Sequence, residues 1–267
     1  ERFNSFCYIR SVDREPRTLA DVFTIGVERH PRPDRFLRKS GGAWHPVSTE
    51  AFARGVRSCA AALASIGVGR GDRVAILSYN RLEWAQADYA CQLLGAADVP
   101  VYATLPADQA AFIVRDSGAK AAFVENAEQA AKVAGVAPRV VSFDPAPGVE
   151  PFEAFLKRGS EPPAATVGPD DLATLIYTSG TSGVPKGVML THGNLVSNLL
   201  ASCAAIDCRP EDLLLSFLPL SHSFERIFDY ALFWTGASIA HAEHVDKVGD
   251  NLLEVRPTIM GAVPRFY

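Results

Sequence analysis

The stretch YTSGTSGVPKG, Tyr177 to Gly187, packs three glycines, two threonines, two serines and one lysine into eleven residues. Glycines let successive backbone N–H groups turn toward one point, which makes a cradle for an anion. The hydroxyls of Thr178, Ser179, Thr181 and Ser182 add donors within reach of a metal ion, and Lys186 adds a mobile positive charge. That donor set suits polyphosphate. A hairpin turn rich in small residues is the plainer reading, but turns rarely need so many residues of this kind. A Walker A loop is disfavoured. It requires G-x-x-x-x-G-K-[ST] running straight into a helix, whereas Lys186 follows Pro185, precedes Gly187 and leads into an apolar run.

A second candidate is His222, which follows a predicted strand ending in LPL. The carboxyl end of a strand in an α/β sheet is the usual place for ligands, although a lone histidine there more often caps a helix or sits in the core. Glu225 and Arg226 are expected to form a local ion pair at the helix start. Phe233 and Trp234 in IFDYALFW suit core packing, with the wall of an apolar tunnel as the minor reading. His241 and His244 flank Glu243; with no further ligands nearby, a solvated face is preferred to a metal pair. Asp72 and Arg73 read as turn residues. The basic, proline-broken segment 28–40 reads as surface, with weak attraction to a membrane as the lesser alternative.

These residues need a framework. Residues 49–66 have helical spacing, and VAILSY reads as a buried strand. A helix ending at Gly95, the strand VPVYA, a helix at 106–118, AAFVE, an alanine-rich helix near 127–135 and RVVSF continue the alternation. The pattern predicts an α/β fold, mostly parallel sheet covered by helices. Six prolines mark 144–171 as a long connection, with a short helix at 151–158. Strands at 172–177, 187–190, 213–218, 237–241 and 257–262 follow, with helices at 192–205, 224–235 and 246–255 between them. The chain thus divides into 1–143, the connection 144–171, and 172–267.

The 267 residues are 48% hydrophobic with a net charge of −4, as expected of a soluble globular chain. No basic stripe suggests nucleic acid, and no apolar run reaches 18 residues. Five scattered cysteines without a CxxC pair argue against zinc or a disulfide framework and fit a reducing cytoplasm.

The stretch YTSGTSGVPKGVMLTHGNL resembles the phosphate-binding signature of the adenylate-forming superfamily. FLPLSHSFERI, residues 217–227, resembles the version of the next motif found in AMP-forming long-chain fatty-acid–CoA ligases. GVGRGDRVAILSYNRLEW and GAADVPVYATLPADQAAFIVRDSGAK agree with it. The resemblance runs from about residue 18 to the end and implies part of the large N-terminal domain of such an enzyme. It implies ATP, Mg2+ and coenzyme A as cofactor and co-substrates, and a fatty acid as partner. Thr178, Ser179, Gly180, Thr181, Ser182, Gly183 and Lys186 would hold phosphate, with Thr181 touching magnesium. Thr181, Lys186 and His222 would act in catalysis, and His222 and Phe224 would face the acyl group. The family continues beyond VPRFY with adenine- and ribose-binding segments and a small domain carrying a catalytic lysine, so the 267 residues alone are expected to be inactive. Uncovered apolar sheet surface would favour pairing with a second copy. The alternatives are an adenylation domain for another carboxylic acid and a non-catalytic nucleotide-binding module.

Overall fold

The computed structural model describes residues 15–178 and 185–264. It opens with helix α1 (Leu19–Arg29), a hairpin of β1 (Phe36–Ser40) and β2 (Ala43–Val47), and helix α2 (Thr49–Ser65). Strands and helices then alternate through β3 (Arg73–Leu77), α3 (Leu82–Leu94), β4 (Ala97–Val101), α4 (Ala107–Asp116), β5 (Ala121–Val124), α5 (Ala127–Lys132) and β6 (Val140–Ser142). Within the proline-rich connection lie the short β7 (Glu150–Pro151) and α6 (Phe152–Leu156). The last part holds β8 (Leu172–Thr178), β9 (Lys186–Thr191), α7 (His192–Ala205), β10 (Leu213–Ser216), α8 (Ser223–Thr235), β11 (Ser238–His241) and α9 (Val248–Val255).

The strands fall into two sheets. Seven run in the order β7-β6-β5-β3-β4-β8-β9, antiparallel only between β8 and β9. Four run in the order β10-β11-β1-β2, antiparallel only in the β1–β2 hairpin. Val74 to Leu77 of β3 are fully buried, as expected of a parallel strand with both faces covered. The chain passes from β3 to β4 on one side and then crosses back to β5 on the other. Such a reversal opens a crevice at the carboxyl ends of the strands.

Helices between the two sheets share one aromatic core. Phe23 of α1, Phe36 of β1, Phe52 of α2, Tyr89 of α3 and Phe233 of α8 meet there, with ring centroids 4.2 to 6.3 Å apart. Phe233 is thus a core residue, and Trp234 lies half-buried under the Arg29 guanidinium, 4.7 Å from its ring centre. The tunnel reading of these two side chains is not supported.

Three sequence expectations change. Segment 28–40 is surface only in part. Arg35 and Phe36 are buried, with the Arg35 guanidinium 4.4 Å from the Phe233 ring centre and donating to the Phe233 carbonyl. Burial lowers the Arg35 pKa to about 10. Arg32 pairs with Asp34, Arg38 with Glu83, and Lys39 with Glu243 and Glu254. Three of the segment's basic side chains are thus paired with carboxylates of the fold. A charge count misses the burial of Arg35 because an arginine can lay its apolar stem and planar head on aromatic surface. Second, residues 257–262 form no full strand: Ile259 makes a single bridge to Leu214. Pro257 opens this segment and Pro264 follows it, and each lacks a backbone donor for a ladder. Third, the helix expected over 246–255 is divided into a 3-10 turn, Val245–Lys247, and α9.

Candidate functional site

The glycine-rich segment is the tip of the β8–β9 hairpin. Thr178, the last residue of β8, pairs with Lys186, the first of β9, and both are exposed. Their register holds the two ends of the loop together. Ser179, Gly180, Thr181, Ser182 and Gly183 lie outside the described residues, so the proposed phosphate contacts rest on their sequence. The base of the loop is fastened from below. The Tyr177 hydroxyl donates to Asp116 of α4 at 2.6 Å. Burial and this carboxylate hold the phenol well above its usual range. Gly187 packs closely on the Tyr177 ring: a Cβ there would stand 3.2 Å from Cζ of Tyr177.

His222 is the N-cap of α8. Its Nδ1 accepts from the Phe224 N–H at 3.2 Å, satisfying one of the donors that a helix start leaves free. With Nδ1 accepting, the neutral imidazole carries its proton on Nε2, which is a donor. Both His222 and Phe224 are exposed, and Phe224 stacks on Phe228 at 6.4 Å. The capping role that suits an isolated histidine is therefore present, and it leaves the outer nitrogen for a ligand.

Strand order brings these two features to one edge. β3, β4 and β8 are parallel neighbours, so Leu77, Val101 and Thr178 all mark carboxyl ends on the same side. The Ser221 hydroxyl, next to His222, lies 3.4 Å from the Val101 carbonyl. The turn before α8 is thus seated beside the strand that neighbours β8.

Glu225 and Arg226 do not form the expected local pair. Arg226 is buried and points into the seven-stranded sheet. Its guanidinium donates to Asp88 of α3 at 2.9 Å, to Asp98 of β4, and to Thr174 of β8 at 2.9 Å. Tyr230 adds a bond to Asp88 at 2.6 Å, and Gln92 donates to both carboxylates. Burial pushes Asp98 up to about 7, helped by Asp88 and opposed by Arg226. Glu225 turns the other way, accepting from the Phe217 N–H at 3.2 Å. Burial and the nearby Asp229 raise its carboxyl to about 8. A local pairing is the cheaper guess from sequence, but the carboxylates that Arg226 meets come from residues more than a hundred positions away. Nothing in the spacing announces them.

A family model for AMP-binding enzymes matches residues 24–267. The chain belongs to that family. Among curated relatives, the long-chain-fatty-acid–CoA ligase FadD15 of Mycobacterium bovis is 34% identical over 92% of this chain and 45% of the relative. The fatty acyl-CoA synthetase A of Dictyostelium discoideum is 34% identical over 96% of this chain and 42% of the relative. The chain therefore spans about half the length of the curated relatives it matches. Among solved structures, the inhibitor-bound N-terminal domain of FACL13 from Mycobacterium tuberculosis superposes with a TM-score of 0.81 at 27% identity, covering 93% of this chain and 63% of that one. The fold is accordingly that of the N-terminal domain of adenylate-forming acyl-CoA ligases.

In this AMP-binding chain, three other histidines do structural work. His192, inside the THGNL run, is buried and its Nδ1 accepts from the Leu19 N–H at 3.1 Å, tying α7 to α1. Burial lowers its pKa to about 4. His241 is buried as well, with Nε2 3.0 Å from Asp229, so it lies on no solvated face. His244 caps the 3-10 turn. Among the described residues, no group of three or more His, Cys, Asp or Glu side chains is placed to hold a metal ion. Thr181, the residue expected to touch magnesium, lies outside the described residues, and no step below runs through the ion. No described helix is long and apolar enough to cross a membrane.

Proposed function

We propose that this AMP-binding protein activates a long-chain fatty acid with ATP and passes the acyl group to coenzyme A. The carboxylate attacks the α-phosphorus, pyrophosphate leaves, and the coenzyme A thiolate then displaces AMP from the acyl-adenylate. No covalent enzyme intermediate is needed. In the first step negative charge grows on the departing pyrophosphate. Backbone donors and hydroxyls of residues 178–183, with Lys186, would hold that group in line and stabilise its charge. The Nε2–H of His222 would donate to the substrate carboxylate or its acyl-phosphate oxygen, and Phe224 would lie along the acyl chain.

The observation that carries this reading is that the turn bearing the capped His222 sits against the carboxyl end of β4, the strand next to the β8–β9 loop clasp. The names of the relatives support the acyl class. The test is ATP–pyrophosphate exchange by the full-length gene product with a series of carboxylic acids. Each buried methylene contributes about 0.8 kcal/mol, so affinity should climb roughly fourfold per CH2 until the apolar site is filled. Fatty acids of more than about ten carbons should rank first, on that same burial rule. A ranking led by acetate or an amino acid would overturn the substrate class, and no exchange with any acid would favour a non-catalytic module.

A further inference from the structure

The turn that delivers His222 has few backbone partners of its own. Residues 217–222 leave β10 as Phe-Leu-Pro-Leu-Ser-His, and Pro219 has no N–H. One internal bond, from the His222 N–H to the Pro219 carbonyl at 2.9 Å, closes the turn. The remaining groups need outside partners, because a buried backbone group left unpaired is costly.

A single side chain supplies two of them. Asn80 stands at the carboxyl end of β3, where the strand order reverses. Its Nδ2 donates to the Leu218 carbonyl at 2.7 Å and reaches the Ser216 hydroxyl at 3.4 Å. Its Oδ1 accepts from the Leu220 N–H at 2.9 Å. The amide thus grips the turn on both sides of Pro219, matching one carbonyl and one N–H with its own donor and acceptor. From the opposite side Glu225 holds the Phe217 N–H. Asn80 follows β3 of the seven-stranded sheet and the turn follows β10 of the four-stranded one, so the grip fixes His222 relative to the strands that carry the phosphate loop.

We propose that Asn80 is a positioning residue for substrate activation: it holds the 217–222 turn so that His222 meets the acid while the loop after Thr178 holds the nucleotide. The proposal rests on the reading of His222 as the group facing the carboxylate. Asn80 touches neither substrate; it acts through His222.

The experiment uses the full-length protein with Asn80→Ala, Asn80→Asp, His222→Ala and the Asn80→Ala/His222→Ala double variant. In fatty-acid-dependent ATP–pyrophosphate exchange, Asn80→Ala should lower kcat/KM for the fatty acid by about 10- to 100-fold, the scale of a 1 Å misplacement. The KM for ATP should move by less than about twofold. In the His222→Ala background the same change should add less than about twofold, because the group it positions is gone. Asn80→Asp keeps size and the acceptor for Leu220 but sets a carboxylate oxygen against the Leu218 carbonyl, and should lower kcat/KM at least as far as Asn80→Ala. It serves also if the alanine variant folds poorly. A crystal structure of either variant should show residues 218–222 displaced. Full additivity with His222→Ala, an equal rise in both KM values, or an unmoved turn would each overturn the proposal. If the wild-type protein exchanges with no acid, the reading of His222 fails and the positioning role in catalysis fails with it. The displaced turn would then still separate that outcome from an amide that holds nothing.

Discussion

Arg226→Met removes the cation that bridges two buried carboxylates and retains a similar volume. Arg226 and Asp88 are 2% and 1% exposed, and Asp98 is fully buried. Deleting one partner of such a pair costs about 3–5 kcal/mol, since the remaining charge is left without water or counter-ion. For a domain of this size that corresponds to a drop of roughly 6–20 °C in Tm. The cost should depend on pH. Burial and Asp88 already push the Asp98 carboxyl up to about 7 while Arg226 is present. Without Arg226 the folded-state value rises further, and the unfolded value stays near 4. A carboxyl whose folded pKa is raised stabilises the fold fully below its unfolded value and loses that contribution as pH climbs through the folded one. The deficit of the variant should therefore be small near pH 4.5 and large at pH 8. Urea unfolding at both pH values measures it. Adding Asp98→Asn to Arg226→Met should recover part of the loss, whereas Asp98→Asn alone should destabilise the wild type. A deficit below about 1 kcal/mol that ignores pH, or no rescue by Asp98→Asn, would refute the buried ion cluster.

Two further outcomes concern the loop and the span of the chain. Lys186→Ala and Thr181→Ala in the full-length protein should each slow ATP–pyrophosphate exchange by about 10²-fold or more, the scale for losing a preorganised charge stabiliser; unchanged exchange in both would remove the phosphate assignment. Residues 1–267 alone should give neither AMP nor thioester when mixed with ATP, magnesium, oleate and coenzyme A, because one loop supplies too few contacts to offset the cost of binding. Robust turnover would place all the catalytic groups within this span.

The sequence by itself determined the family, the strand–helix alternation and the two chemical landmarks. These are local properties: a glycine- and hydroxyl-rich turn is readable because its chemistry lies in consecutive residues, and buried parallel strands are readable as short apolar runs. Tertiary structure alone decided where the long side chains go. Arg35 sits in a segment whose charges suggest surface, and only the Phe233 ring from the other end of the chain explains its burial. Arg226 sits beside Glu225 in sequence yet pairs with Asp88 and Asp98, because the pairing is set by how α8 lies on the seven-stranded sheet. Asn80 reads as an unremarkable residue after a strand, and its partners Leu218 and Leu220 are backbone groups that no side-chain pattern reveals. His222 needed both levels. Its motif marked it in sequence, but the nitrogen that caps α8, and therefore the one left for a ligand, follows only from the folded helix start.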